Sequence, residues 1–311
     1  MLQIEGLSID YDLGGGGRMS VLRDVSLDFP KGKVTALIGE SGSGKTTLTG
    51  AVLGLLASNA RVLGGRIMWD GKNLLEQSDE ALRQFRWRRA SVVFQAAQGA
   101  WNPTLPIGRQ MLDCCSDHGV GEGQARMERL LLQVRLDPAR VMSSYPHQLS
   151  GGMRQRALIA MSLMLDPELV ILDEPTTALD LITQSYIFDI LADIHKETGL
   201  TMILVTHDLA AVARLSDRVA VLYAGTVGEV AEADAIFEAP RHPYAQVLLN
   251  SSPDVHGSMP QVQVGDGKPP DLRNRPPGCI FASRCPEKVE ICAVETPTLG
   301  EEMVACHRRK A

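Results

Sequence analysis

Apolar and polar residues alternate over residues 2–11, LQIEGLSIDY, and again over 21–29, VLRDVSLDF, and this period of two predicts strands that each bury one face. The glycines at 14–17 predict a flexible turn between them. Residues 34–38, VTALI, do not alternate, and an unbroken run of apolar and β-branched residues predicts a strand buried on both faces. The runs at 91–94, 169–172 and 202–205 read the same way, and 66–69 before Asp70-Gly71 predicts one more strand with its turn. Helical spacing appears at 78–89, 107–115, 124–136, 153–165, 181–196 and 233–238, and Asp137-Pro138 stops the third of these. Residues 219–223 and 226–230 predict a hairpin around Ala224-Gly225. Buried strands alternating with helices predict an α/β fold, with a β-rich layer at the start and a helical insertion over about 98–160. The pattern changes at Pro240, and 251–277 is rich in Pro, Gly and Ser, which predicts an extended connection. The expected division is therefore a large domain over 1–240 and a smaller one over 241–311.

The 34–38 strand breaks into GESGSGKT, residues 39–46, which fits the phosphate-loop pattern G-x-x-x-x-G-K-[ST]. Gly39, Gly42 and Gly44 let the backbone turn tightly and aim N–H groups inward at a helix start, a nest for phosphate oxygens. Lys45 supplies a charge for the β- and γ-phosphates, and the Thr46 hydroxyl is a ligand for Mg²⁺. Ser150-Gly151-Gly152 opens the helix predicted at 153–165 and makes a second anion-binding helix start. Three of the buried strands run out into polar side chains, Gln95, Asp173-Glu174 and His207, where α/β sheets place their ligands. Asp173 is suited to hold Mg²⁺ through water and Glu174 to orient or activate an attacking water. Tyr11, at the edge of the first β layer, offers a ring to stack on a purine, with a half-buried strand aromatic as the plainer alternative. The basic run Arg83, Arg86, Arg88 and Arg89 reads as a solvated helix face rather than a contact for a partner or lipid headgroups. Cys114 and Cys115 read as packing residues.

Composition narrows the choice. The 31 basic and 37 acidic residues give a net charge of −6, which argues against a broad phosphate-backbone surface and against nucleic acid as a partner. No apolar run reaches roughly 18 residues, and the N-terminus has no basic region before an apolar core, so a secreted or membrane-spanning chain is not expected. Four of the six cysteines, Cys279, Cys285, Cys292 and Cys306, crowd the last 33 residues with spacing C-x5-C-x6-C-x13-C, and His307 follows the last. In a cytosolic chain such a group more often binds metal than forms disulfides.

Taken in order, the phosphate loop, Gln95, LSGGM at 149–153, VILDE at 170–174 and His207 resemble the ATPase subunits of ATP-binding-cassette (ABC) transporters, over roughly residues 1–240. The resemblance implies a P-loop NTPase cassette with a RecA-like parallel-sheet core, an antiparallel β layer and a helical insertion. It makes Gly39, Ser41, Gly42, Ser43, Gly44, Lys45, Thr46 and Thr47 the ATP-binding Walker A loop, Asp173 and Glu174 the Walker B carboxylates, Gln95 the Q-loop and His207 the switch histidine. Tyr11 then takes the adenine-stacking position, Ser150, Gly151 and Gly152 belong to the signature, and Asp180 to the loop facing a partner cassette. Thr46, Gln95 and Asp173 would serve Mg²⁺, and Glu174, Gln95 and His207 catalysis. Met153 departs from the glutamine commonest in the signature. AAQGAWNPTLPIGRQM after Gln95, HPYAQVLL at 242–249 and the tail GCIFASRCPEKVEIC look like the dipeptide, oligopeptide and nickel importers. That subfamily implies a second ATPase subunit in a heterodimer, two membrane permeases, an extracytoplasmic solute-binding protein and a peripheral position on the cytoplasmic face of the membrane. The tail is similar to the peptide-importer branch and implies a [4Fe–4S] cluster on Cys279, Cys285, Cys292 and Cys306, with Zn²⁺ or a disulfide pair as alternatives. The same pattern leaves open a nickel importer, a non-transport cassette protein with a zinc or nucleic-acid tail, and a redox-sensing regulatory subunit.

Overall fold

The alternating stretches at the start of the chain are strands, and both are longer than predicted: β1 (Leu2–Gly14) and β2 (Gly17–Phe29) pair antiparallel across Gly15-Gly16. The computed structural model describes residues 1–95, 97–250 and 267–309. In chain order there follow β3 (Val34–Ile38), α1 (Lys45–Val52), β4 (Ala60–Trp69), β5 (Lys72–Asn73), α2 (Asp79–Phe85), β6 (Ala90–Val93), α3 (Ala97–Ala100), α4 (Ile107–Asp117), α5 (Gly123–Gln133), α6 (Pro138–Ser143), α7 (Gly151–Ser162), β7 (Leu169–Asp173), α8 (Leu181–Thr198), β8 (Thr201–Val205), α9 (Leu209–Leu215), β9 (Arg218–Tyr223), β10 (Thr226–Glu232), α10 (Ala233–Glu238) and α11 (Pro243–Asn250). Chain contacts divide them into two units, one of Met1–Pro30, Thr35–Gln77 and the described part of Thr206–Ala311, the other of Lys31–Val34 and Ser78–Val205.

In the first unit an antiparallel sheet runs in the order β2-β1-β4-β5. β4 starts six residues before the strand predicted at 66–69, because its first half lies exposed and the pair Gly64-Gly65 hides the alternation. Gly65 sits in the left-handed region at φ +94°, and a Cβ there would lie 2.5 Å from Leu7 Cα, so the bulge opposite Glu5 and Ser8 requires glycine. β9 and β10 form the predicted hairpin, and β3 runs parallel to β9 with Thr35 opposite Arg218. Behind these strands lies one apolar core that includes Ile38, Val219, Val221, Tyr223, Tyr244 and Phe281. Phe281 and Ile280 come from the cysteine-rich tail, so the tail shares the core of β3 and β9. The connection expected over 251–277 lies partly outside the described residues; over 267–277 it carries no helix or strand.

In the second unit β6, β7 and β8 form a parallel ladder, with Ala90 opposite Leu169 and Leu169 opposite Thr201. β7 and β8 are buried along their whole length, as unbroken apolar runs require. The predicted insertion is α3 to α7, with Met111, Met127, Leu131 and Ile159 buried. Burial pushes the Cys114 thiol up to about 12 and raises Cys115, which suits inert packing groups. The helix predicted at 78–89 is corrected by the structure. It ends at Phe85, because Arg86 is extended and Trp87 enters the left-handed region at φ +70°. The basic run is therefore not one helix face. Arg83 pairs with Glu80, Arg89 with Glu168, and Arg88 donates to the His118 carbonyl.

Candidate nucleotide site

β3 delivers the chain from the core into the phosphate loop, and α1 begins at Lys45. Two glycines are sterically required. A Cβ on Gly39 would come within 2.1 Å of the Leu222 carbonyl oxygen, and one on Gly44, at φ +95°, within 2.6 Å of Leu22 Cδ2. The loop closes on itself through Ser43 N–H to the Glu40 carbonyl, 3.1 Å. Lys45 is buried, and its ammonium donates to the carbonyls of Gly39 (2.8 Å) and Glu40 (2.9 Å) and to Ser43 Oγ (3.2 Å). A buried cation ringed by backbone at the start of a helix, with no acidic residue in the first turn, is a receptor for anionic oxygen. Tyr11 on β1 meets the same helix, its hydroxyl 3.3 Å from Thr47 Oγ1. His207 is exposed between buried Thr206 and Asp208, which caps α9 by accepting from the N–H groups of Ala210 and Ala211. Tyr11, the phosphate loop and His207 all belong to the first unit.

The second unit holds the carboxylates. Asp173 is the buried last residue of β7. Glu174 follows at φ +47°, a strained conformation for a residue with a side chain, and its N–H donates to the Val205 carbonyl at 2.8 Å. One carboxylate oxygen, Oε2, accepts from both Gln95 Nε2 (2.9 Å) and Thr177 Oγ1 (2.8 Å). Gln95 was expected at the site; Thr177 was missed, since a threonine in a turn carries no motif signal. Ser150 caps α7 by accepting from Met153 N–H at 3.2 Å, and Asp180 caps α8 by accepting from Thr183 N–H and Thr183 Oγ1. The Thr183 hydrogen bonds hold the Asp180 carboxyl below its ordinary range. These two caps are neighbours: a Cβ on Gly152 would meet Thr183 Cγ2 at 2.5 Å, so the signature turn packs on the start of α8. Leu181 and Ile182, beside Asp180, are 82% and 84% exposed.

The structure does not by itself support the metal centre expected in the tail. All four tail cysteines are free, and among the described residues no three His, Cys, Asp or Glu side chains stand close enough to hold one metal ion. His307 turns its Nε2 to the Glu295 carbonyl, 2.8 Å away. Burial pushes Cys285 up to about 11, and the proximity of Cys279, Cys306 and Cys292 adds to the rise. Cys279 N–H also donates to the Cys292 carbonyl at 2.9 Å.

The segment 242–244, His-Pro-Tyr, is built into the unit's core. His242 N–H and Arg241 N–H donate to the buried Glu229 carboxylate, and Tyr244 N–H donates to His242 Nδ1 at 3.0 Å. Burial pushes the His242 imidazole down to about 4. The Tyr244 hydroxyl then accepts from Glu40 N–H at 2.8 Å. Glu40 was missed because it stands at a variable position of the loop pattern.

Among the described residues no helix is long and apolar enough to cross a membrane. The family profile described as ABC transporter matches residues 22–177, and that described as oligopeptide/dipeptide transporter, C-terminal region, matches 229–292. A dipeptide transport ATP-binding protein DppD of Caldanaerobacter subterraneus subsp. tengcongensis is 42% identical, with 99% of this chain and 96% of that protein covered. The protein of the same name in Bacillus subtilis is 40% identical, with 94% and 88% covered, and that of Escherichia coli is 36% identical, with 96% and 93% covered. Among solved structures, a dimeric ATP-binding cassette in a post-hydrolysis state with ADP and phosphate superposes with a TM-score of 0.67 at 26% identity, covering 75% of this chain and 99% of that one. A phosphate loop around a buried lysine, a hydrogen-bonded strand-end glutamate and this kinship over nearly the whole length have one reading: the chain belongs to the ABC transporter ATPases of the dipeptide/oligopeptide importer family.

Proposed function

We propose that this chain binds and hydrolyses ATP and drives uptake of di- or oligopeptides through partner permeases. The observation that carries the reading is the buried Lys45 ammonium held inside a glycine-built loop at the start of α1. Lys45 and the loop N–H groups bind the β- and γ-phosphates, and the Tyr11 ring stacks on adenine. The donors assigned to Mg²⁺ are all hard oxygens, the Thr46 hydroxyl, the Asp173 carboxylate and the Gln95 amide, and this set fits that ion. Mg²⁺, when bound, offsets phosphate charge. Glu174 is the general base for the attacking water, and its double hydrogen bond to Gln95 and Thr177 holds one oxygen fixed and orients the other. His207 orients the γ-phosphate.

Two phosphate-binding helix starts in one chain are explained by a dimer in which Ser150, Gly151 and Gly152 complete the site of a partner cassette. Exposed Leu181 and Ile182 beside Asp180 support that face as an interface. ATP closes the dimer because it binds the closed state more tightly, and hydrolysis reopens it. The partners are a related ATPase, two permeases and an extracytoplasmic binding protein, and the chain sits on the cytoplasmic face of the membrane.

For the tail, the spacing C-x5-C-x6-C-x13-C lacks the paired C-x2-C of structural zinc, and this favours a [4Fe–4S] cluster. Cys279, Cys285, Cys292 and Cys306 would hold it. Protein purified without oxygen should contain iron and sulfide; zinc alone would reverse the assignment.

The test of catalysis is Glu174→Gln. Removing a general base lowers turnover by at least about 100-fold, while ATP binding is retained and the closed complex accumulates. Near-normal hydrolysis by this variant would remove Glu174 from the role.

A further inference from the structure

We propose that Arg284 of the cysteine-rich tail, together with Tyr244 on α11, sets nucleotide affinity by clamping Glu40 of the phosphate loop, both acting as positioning residues; this rests on the loop being the ATP site.

Glu40 is held at three points. Its N–H donates to the Tyr244 hydroxyl at 2.8 Å. Its carboxylate takes a two-pronged ion pair from Arg284, Nη1 to Oε2 at 3.0 Å and Nη2 to Oε1 at 2.9 Å. Its carbonyl accepts from the Lys45 ammonium at 2.9 Å and from Ser43 N–H at 3.1 Å. The residue that anchors the phosphate-binding lysine is therefore itself fixed by side chains from outside the loop. Paired, parallel N–H donors fix direction as well as distance.

Arg284 is fixed in turn. Its Nη1 also donates to the Tyr223 hydroxyl at 3.2 Å, and its guanidinium lies 5.6 Å from the Tyr223 ring centre and 6.0 Å from that of Phe281. Its own N–H donates to the Phe281 carbonyl at 3.0 Å. The side chain is only 13% exposed. In sequence Arg284 directly precedes Cys285, so the tail's conformation reaches the loop across one residue.

The clamp does two separable things. It positions the Glu40 peptide, and it neutralises a carboxylate that would otherwise stand uncompensated beside a loop receiving a polyanion. The second effect is a matter of charge, and charge can be removed without rebuilding the clamp.

In the full chain assembled with its companion subunits, Arg284→Ala should weaken ATP affinity about tenfold, the scale of about one unpaired charge near a phosphate. Its kcat at saturating ATP should stay within about twofold of the parent, since the loss is in binding. The double variant Arg284→Ala with Glu40→Gln should recover most of that affinity, a result that loss of packing does not produce. Tyr244→Phe removes one hydroxyl and should weaken affinity by about threefold. If Arg284→Ala does not fold, Arg284→Lys, which keeps the charge and loses the fork, and Tyr244→Phe carry the test. ATP affinities equal to the parent in these variants, or no recovery in the double variant, would overturn the clamp. Absence of ATP binding by the parent itself would instead overturn the phosphate-loop reading.

Discussion

Glu174 shows what a single residue can and cannot announce. Its position at the end of an apolar strand, beside Asp173, is legible as a carboxylate aimed at a ligand. Its left-handed backbone and the pairing of Gln95 and Thr177 on one oxygen are not, because both depend on turns that bring distant residues together. His242 is a stronger case. As a lone histidine it carried no assignment, yet burial holds its imidazole down at about 4, with Arg309 adding to the fall and a hydrogen bond to the Ala305 backbone opposing it. An unfolded imidazole titrates near ~6.5, so protonation favours the unfolded chain as pH falls between those values. The stability His242 contributes is present above about pH 6.5 and lost toward pH 4, up to about 3 kcal/mol. Buried Glu229, whose carboxyl is raised by burial, works in the opposite sense from the ordinary carboxylate range upward. The two are separated by comparison with His242→Asn, whose amide oxygen can still accept Tyr244 N–H. Denaturant unfolding at several pH values should show a steeper acid loss in the parent than in the variant. Parallel curves would contradict the assignment.

Among the elements, those with an unbroken apolar run lie where the sequence places them, whereas a strand interrupted by a glycine pair and a helix ended by a left-handed residue do not. β3, β7 and β8 lie where their apolar runs predict. β4 was half hidden by Gly64-Gly65, and the helix after Ser78 was over-extended because Trp87 has no special sequence signal for positive φ. The cysteine-rich tail has no hydrophobic period that would place it against the core. It nonetheless places Phe281 in the core, 1% exposed, with its ring 5.1 Å from Tyr223 and 5.4 Å from Tyr244. Phe281→Ala should therefore cost about 3–5 kcal/mol, the range for a large aromatic deleted from a core. Equilibrium unfolding checks this, and a loss below about 1 kcal/mol would mean that the tail packs independently. A companion test concerns α7 and α8. Gly152→Val has no room against Thr183, so it should push the signature turn from α8 and lower ATP-driven dimer formation.

At the scale of the whole molecule, the sequence names a nucleotide machine more readily than it names the cargo. The phosphate-loop, strand-end carboxylate and LSGGM motifs all lie on this chain, whereas none of them specifies a solute. The link from tail to phosphate loop through Arg284 and Glu40 was illegible for a physical reason: the two residues are far apart in sequence and each occupies an unremarked position. The central claim is that a triphosphate is gripped by the loop around Lys45. Its most direct test is a calorimetric titration of Mg-ATP into the assembled complex, parent against Lys45→Ala. Saturable binding in the parent that falls by at least about 100-fold in the variant, the loss of a charge-assisted contact to phosphate, is the predicted result. Equal affinity in both, or no binding in the parent, would contradict the account.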